Sequence, residues 1–120
     1  MTAYPDLKLL IDGTWRNGAT GATQDVINPA TEEVLGALPA AALEDLDAAL
    51  DSAQRGFETW RALSPYARAA ILMRAAQLVR DRTEEIAVAV TLENGKPLAE
   101  ARMETGTVVD ILEFSAEEGK

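Results

Sequence analysis

The chain has 120 residues, of which 48% are hydrophobic and 26% are charged, and its formal net charge is −9. This length allows one compact domain or a part of a larger one. No segment is basic, whereas nucleic acids and anionic membranes both require a positively charged surface. The composition therefore excludes both of these as expected partners.

The chain contains neither cysteine nor histidine, and these two absences exclude several kinds of catalytic and structural site. A thiolate nucleophile, a disulfide and every Ser-His-Asp arrangement are thereby excluded. No apolar run approaches the roughly 20 residues of a membrane helix. Residues 1–6 lack the basic and apolar parts of a signal peptide. We expect a soluble, cytoplasmic protein.

Residues 1–39 have the pattern of a β-rich region with three short strands. The first apolar segment, from Leu7 to Trp15, contains Asp12-Gly13, a turn pair that favours positive φ. The second strand ends at Asn28-Pro29, because a residue that precedes proline is pushed out of the α region. The third runs from Val34 to Leu38. Such strands predict an edge sheet that packs on another part of a protein.

Residues 40–120 have the pattern of three or four helices. The first carries an apolar stripe at spacings of three and four: Leu43, Leu46, Leu50, Ala53, Phe57 and Trp60. Ser64-Pro65 predicts the start of the second helix. Its buried face is expected to contain Ile71, Leu72, Ala75, Leu78 and Val79.

A break is expected at residues 81–84, where Asp81 and Glu84 have capping-box spacing. Asn94-Gly95 predicts a left-handed helix end, which Pro97 reinforces. The last helix is expected from Leu98 to about Glu118, with Val108, Val109 and Leu112 facing inward. These helices could form a bundle of their own, but the additional aromatic surface favours one layer of a bigger domain.

Local motifs give little evidence for a catalytic or phosphate site. Gly95-Lys96 is not a phosphate loop, because Val90 and Pro97 occupy the positions that need glycine and serine or threonine. Adjacent carboxylates point apart on a helix and are interpreted as solvated surface. Glu93 is the exception, since it directly precedes the expected helix end at Asn94-Gly95.

Three segments resemble the N-terminal part of NAD(P)-dependent aldehyde dehydrogenases. They read LIDGTW at 10–15, VINPATEEVLG at 26–36 and TLENGKPLAEA at 91–101. The final FSAEEGK at 114–120 is most similar to the succinate-semialdehyde dehydrogenase branch. The resemblance extends in order and spacing over residues 7–120.

The resemblance implies an α/β parent fold, of which this segment is an N-terminal β-hairpin region followed by three or four α-helices. Residues 1–39 would be the hairpin region and residues 40–120 the helical part of the cofactor-binding domain. The catalytic domain, with its cysteine nucleophile, would lie outside this chain. The parent would oxidise an aldehyde, with succinate semialdehyde as the expected substrate, using NAD or NADP. We expect no catalytic or cofactor-binding residue in this chain, and no activity or cofactor binding by the chain alone.

The resemblance also implies a monovalent cation site. Family members hold Na⁺ or K⁺ with backbone carbonyls near the Asn-Pro turn and an acidic side chain before the Gly-Lys pair. These positions correspond to Val26, Ile27 and Glu93. Carbonyl and carboxylate oxygens are suitable ligands for a hard cation.

The remainder of the dehydrogenase subunit is the expected partner, within a parent that forms a homo-oligomer. Two alternatives remain open at this point. The chain could be a non-catalytic helical interaction module, or a fragment that docks onto a full-length subunit.

Overall fold

The computed structural model describes residues 4–120, which form four short strands and four helices. Residues 1–3, on which part of the signal-peptide expectation depends, lie outside the described residues. The chain forms two compact units, one up to Arg61 and the other from Ala62 to Lys120. The first unit contains the four strands β1 (Leu9–Ile11), β2 (Thr14–Arg16), β3 (Thr23–Ile27) and β4 (Val34–Pro39). It also contains α1 (Leu43–Ala62) except for its last residue. The second contains α2 (Pro65–Asp81), α3 (Thr83–Asn94) and α4 (Leu98–Glu118).

The first hairpin pairs β1 with β2 in antiparallel register, with Leu10 opposite Trp15. Its two-residue turn is Asp12-Gly13, with φ angles of 52° and 72°. Positive φ at both central residues is the type I′ geometry that matches the twist of the flanking strands. The sequence pattern predicts three strands in this region. That count is wrong by one, because the turn divides the first apolar segment into two paired strands.

The second hairpin pairs β3 with β4, and its register is irregular between Val26 and Ile27. Val26 pairs with Gly36 but Ile27 pairs with Val34, so Leu35 is an extra residue on the opposite strand. Such a bulge disrupts the ladder locally and increases the twist. As predicted, β3 ends before Asn28-Pro29, where the Asn28 side chain accepts a hydrogen bond of 2.9 Å from the Ala30 N–H.

Helix α1 follows β4 in the first unit and has acidic residues in its first turn, where the helix dipole favours them. The predicted apolar stripe is present on this helix. Most of its large side chains are exposed, with Leu43 at 80% and Phe57 at 55%.

In the second unit, α4 packs against both α2 and α3. Ser64 caps α2, since its hydroxyl accepts the Ala67 N–H at 3.2 Å, and Pro65 is the first helical residue. Gly95 ends α3 in the left-handed conformation with φ of 76°. Both helix ends were predicted from the sequence, and both are confirmed.

The core of the second unit consists mainly of small side chains: Ala69, Ala76, Ala87, Ala101, Thr105, Val109 and Ala116. The predicted inward faces are therefore only partly correct. Ile71, Leu78 and Val108 are exposed, because the helices meet through alanines rather than through these larger residues. Val109 is buried as expected, and Leu72, Ala75, Val79 and Leu112 are half-buried.

The predicted capping box at Asp81 and Glu84 is wrong. Arg82 is the residue before α3, and it makes no side-chain cap. The Asp81 carboxylate instead accepts a hydrogen bond from Gln77 within α2.

The predicted fold class is confirmed, with hairpins followed by four helices. The assignment of residues 40–120 to a cofactor-binding domain stays a prediction. Within residues 4–120, no helix is both long enough and apolar enough to cross a membrane.

Candidate functional site

The residues predicted to hold a cation lie at two structurally distinct positions. Val26 and Ile27 are consecutive residues at the bulge of β3, in the first unit. Glu93 lies in the last turn of α3, in the second unit, immediately before Asn94 and the left-handed Gly95. The structure thus brings the two carbonyl-bearing residues together on one strand. The cation site shared by all three stays a prediction.

The local backbone suits the proposed ligand types. A bulge interrupts regular ladder pairing, so carbonyl groups near it can be redirected away from the sheet. Asn28-Pro29 and the positive φ of Glu32, 61°, turn the chain sharply just after these residues. Within residues 4–120, no group of three or more acidic side chains forms a carboxylate cage for a metal ion. The family resemblance accordingly predicts an ion held by backbone oxygens together with a single carboxylate.

Asp45, which no sequence pattern singled out above, accepts three hydrogen bonds within the described part of the first unit. Its side chain has no exposed surface. One carboxylate oxygen accepts the backbone N–H groups of Ala19 at 2.8 Å and Ala42 at 3.0 Å. The other oxygen accepts a hydrogen bond of 2.9 Å from Nη2 of Arg16. These bonds join β2 and the loop after it to the start of α1.

Hydrogen bonding determines the ionisation of Asp45. The Ala19 N–H, and then the Ala42 N–H, hold the pKa of the carboxyl below its ordinary value. Arg16 lowers the pKa further, whereas burial alone would raise it. The contact with Ala42 has capping-box spacing, because Asp45 is the third helical residue and accepts the N–H of the residue before the helix. The sequence gives no capping-box signal for Asp45, because alanine at position 42 lacks the hydroxyl side chain of such a motif.

Glycine at position 18 is required by a close approach in the same unit. A Cβ atom on Gly18 would lie 2.1 Å from the carbonyl oxygen of Ala40 and 3.6 Å from an oxygen of Asp45. The loop after β2 therefore rests directly on the backbone that leads into α1. This loop and Asp45 fix the position of the first hairpin on α1.

In the second unit, ion pairs connect the helices at the surface. Arg102 donates two hydrogen bonds to Glu84, at 2.7 and 2.8 Å, and Arg80 donates one to Glu113 at 2.6 Å. The bond with Arg102 lowers the pKa of Glu84 below its ordinary value. Lys96 pairs with Glu104. All of these side chains are at least partly exposed, so the pairs orient helices rather than form a reactive centre.

The comparisons with known proteins identify the architecture. The model of the aldehyde dehydrogenase family matches residues 15–120. The chain belongs to the aldehyde dehydrogenase family. This result confirms the resemblance given by the three sequence segments.

Relatives of the chain include dehydrogenases with different named substrates. A 4-(hydroxymethyl)benzenesulfonate dehydrogenase of Comamonas testosteroni is 44% identical over 113 residues, which are 94% of this chain and 24% of that protein. A D-glyceraldehyde dehydrogenase (NADP(+)) of Thermoplasma acidophilum is 38% identical over 112 residues, 93% of this chain and 23% of that protein.

The structural comparison agrees with the sequence comparison. The crystal structure of a succinate-semialdehyde dehydrogenase from Burkholderia pseudomallei has a TM-score of 0.92 and 38% identity. The match covers 95% of this chain and 24% of that one. The chain thus spans about a quarter of the length of the curated relatives it matches. The hairpins and helices described above are a part of the aldehyde dehydrogenase fold.

Proposed function

We propose that the chain is the N-terminal part of a dehydrogenase subunit that oxidises an aldehyde to a carboxylic acid with NAD or NADP. The observation that supports this proposal most strongly is the family match over residues 15–120. The chain spans only 24% of its relatives and contains no cysteine, so the nucleophile would come from the remainder of the subunit. In this proposal the chain supplies scaffold, and its partner is the rest of the subunit.

For the substrate we propose succinate semialdehyde. The support is the similarity of residues 114–120 to that branch and the likeness to the B. pseudomallei structure. A sulfonated aromatic substrate is the second candidate, since the C. testosteroni relative has the higher identity, 44%. We further propose a homo-oligomeric parent in the cytoplasm.

The experiment is to extend the reading frame beyond Lys120, to express the longest product, and to assay it with both cofactors. The aldehydes would be succinate semialdehyde, D-glyceraldehyde and 4-formylbenzenesulfonate, the last being the aldehyde that corresponds to the alcohol in the name of the C. testosteroni relative. We expect reduced nicotinamide to form fastest with succinate semialdehyde. A faster reaction with 4-formylbenzenesulfonate would overturn the substrate proposal alone. A stop codon directly after Lys120 would overturn the dehydrogenase proposal and favour the non-catalytic helical module.

The 120-residue chain by itself provides the matched control for that assay. Because it has no thiol, we expect no aldehyde-dependent absorbance increase at the nicotinamide band. Reduction of NAD or NADP by a preparation free of host dehydrogenases would contradict the assignment of catalysis to the rest of the subunit.

We also propose that, in the complete subunit, Glu93 shares Na⁺ or K⁺ with the carbonyls of Val26 and Ile27. The support is the family resemblance at these three positions, together with the bulge at Val26 and Ile27 and the position of Glu93 at a sharply ended helix. The variant Glu93→Gln removes one negative charge, and Glu85→Gln does the same at an exposed position of the same helix.

Thermal unfolding of the complete subunit in KCl, NaCl and choline chloride at equal ionic strength would test the cation site. We expect K⁺ or Na⁺ to raise the melting temperature of the wild type and of Glu85→Gln relative to choline. The effect should be lost in Glu93→Gln. A cation effect retained in Glu93→Gln would contradict the role of this carboxylate.

A further inference from the structure

A cleft of about 410 Å³ lies between the first hairpin and α1 within the first unit. Its lining consists of three hairpin side chains and three from α1, with one turn residue: Ile11, Thr14 and Arg16, then Ala48, Asp51 and Arg55, and Asp12. The volume is within the range of small-molecule sites. The cleft contains none of the three residues predicted to hold the cation.

The walls of the cleft are held in place by hydrogen bonds. Arg16 is anchored through Nη2 by the buried carboxylate of Asp45. Arg55 contacts Asp12 at 3.1 Å, and the Ser52 hydroxyl donates to the same Asp12 oxygen at 3.2 Å. Asp12 itself lies in the tight turn with positive φ. Anchored polar groups lose little freedom when a ligand binds, so the Arg16 side of the cleft is preorganised.

The hydrogen-bonding groups of the cleft that are not used within the protein include one positive and one negative group. Arg16 uses only one nitrogen for Asp45, so the rest of its guanidinium fork can still donate. Within residues 4–120, the Asp51 carboxylate has no hydrogen-bond or ion-pair partner. Ile11 on the hairpin and Ala48 on α1, both half-buried, add apolar surface to the lining.

This mixture of charges selects against simple ions. A small anion would meet Asp12 and Asp51, and a small cation would meet Arg16 and Arg55. A molecule with both an ammonium and a carboxylate group offers a partner of the right charge to each of the two unused groups. A guanidinium fork binds a carboxylate with directional hydrogen bonds, and a free carboxylate is a suitable partner for an ammonium group.

We propose that this cleft binds a small zwitterion of the α-amino acid type. The ligand carboxylate lies on Arg16, its ammonium group on Asp51, and its aliphatic side chain against Ile11 and Ala48. This binding site is independent of the proposed dehydrogenase function.

The test uses three probes of nearly equal shape and the 120-residue chain, at concentrations below those at which the chain self-associates. L-Valine carries both charges, valinamide carries only the ammonium charge, and isovalerate carries only the carboxylate charge. Binding is followed by amide chemical shifts in NMR titrations. We expect L-valine to shift the signals of Thr14, Arg16 and Asp51 and to bind at least tenfold more tightly than either analogue.

Two variants of α1 make the test specific. Asp51→Asn removes the unpaired carboxylate from the cleft, and Asp47→Asn makes the same change at an exposed position of the helix that does not line it. We expect at least tenfold weaker L-valine binding for Asp51→Asn and unchanged binding for Asp47→Asn. Equal responses to the three probes, equal effects of the two variants, or shifts located elsewhere would overturn the proposal.

Discussion

Asp45 connects segments of the first unit that are 26 and 29 residues apart in the chain. Its carboxylate satisfies two backbone N–H groups and one guanidinium group in a place with no exposed side-chain surface. A buried carboxylate is tolerated only when its oxygens are paired in this way. The residue therefore determines how the first hairpin, its following loop and α1 fit together.

The first prediction is that Asp45→Asn destabilises the first unit. An amide offers only one accepting oxygen, so its NH₂ group must face either an N–H donor or Arg16. We expect a lower midpoint of urea unfolding and faster hydrogen exchange at the Ala19 and Ala42 amides. Asp47→Asn, on the same helix but exposed, is the control and should leave both unchanged. Unchanged exchange in Asp45→Asn would contradict this role.

The depressed pKa of Asp45 gives this effect a pH dependence. The unfolded chain has the ordinary value of 3.8, and the folded chain has a lower one. The stabilisation is therefore fully present above 3.8 and is lost as the pH falls towards the folded value. The difference in unfolding midpoint between wild type and Asp45→Asn should shrink over that acidic range. A difference that grew on acidification would contradict a folded-state pKa of Asp45 below 3.8.

The second prediction compares two glycines of the first unit. Gly18→Ala would place a Cβ atom 2.1 Å from the Ala40 carbonyl oxygen, and overpacking of this kind costs about 1–3 kcal/mol. Gly56→Ala has open space around it in α1, where alanine is favoured by about 0.5–1 kcal/mol. Urea unfolding should show opposite signs for the two variants. Equal effects would mean that the close approach at Gly18 is relieved without cost.

At the scale of single elements, the structure shows which features a sequence can predict. The ends at Ser64-Pro65 and Asn94-Gly95 were predicted because their bonds join residues only three or four apart. The break between α2 and α3 was located correctly but explained wrongly. There the Thr83 hydroxyl donates back to the carbonyls of Val79 and Arg80, and no capping box forms.

Features that depend on distant partners were not predictable in the same way. The hydrogen bond between Asp45 and Ala19 and the close approach of Gly18 to Ala40 form only once the chain has folded. The exposure of Ile71 and Val108 was missed because helical periodicity identifies an apolar face but not what covers it. For the cation site, Val26, Ile27 and Glu93 came from family resemblance, and the bulge at the first two was not expected from the sequence.

The third prediction concerns the start of α2. Ser64→Ala removes the hydroxyl that accepts the Ala67 N–H, and loss of such a cap costs about 1 kcal/mol. Ser64→Asp should restore most of that stability, because aspartate is an equally good capping residue. Ser115→Ala, at an exposed position inside α4, is the control and should be neutral or slightly stabilising. Failure of Ser64→Asp to recover the unfolding midpoint would show that the hydroxyl acts in another way.

At the scale of the whole chain, the distribution of large apolar side chains is unusual. The second unit packs its helices through alanines, whereas Met103 and Phe114 of α4 are 68% and 67% exposed. In the first unit, Leu46, Leu50 and Phe57 of α1 are also exposed. Monomers rarely leave large apolar surfaces uncovered. The chain spans a quarter of its relatives, so the rest of the subunit is the cover that we propose.

The fourth prediction follows from these uncovered faces. The isolated 120-residue chain should keep its helix content, bind a hydrophobic dye and self-associate as its concentration rises, because association removes apolar surface from water. Phe114→Gln should reduce dye fluorescence and association without loss of helical circular dichroism, since its side chain is not part of the core. Arg74→Gln, an exposed polar change on α2, is the control and should alter neither signal.

In the complete subunit, dye binding should be absent because the same faces are covered. An isolated chain that stays monomeric at every concentration and binds no dye would contradict the proposed cover and favour a free-standing module.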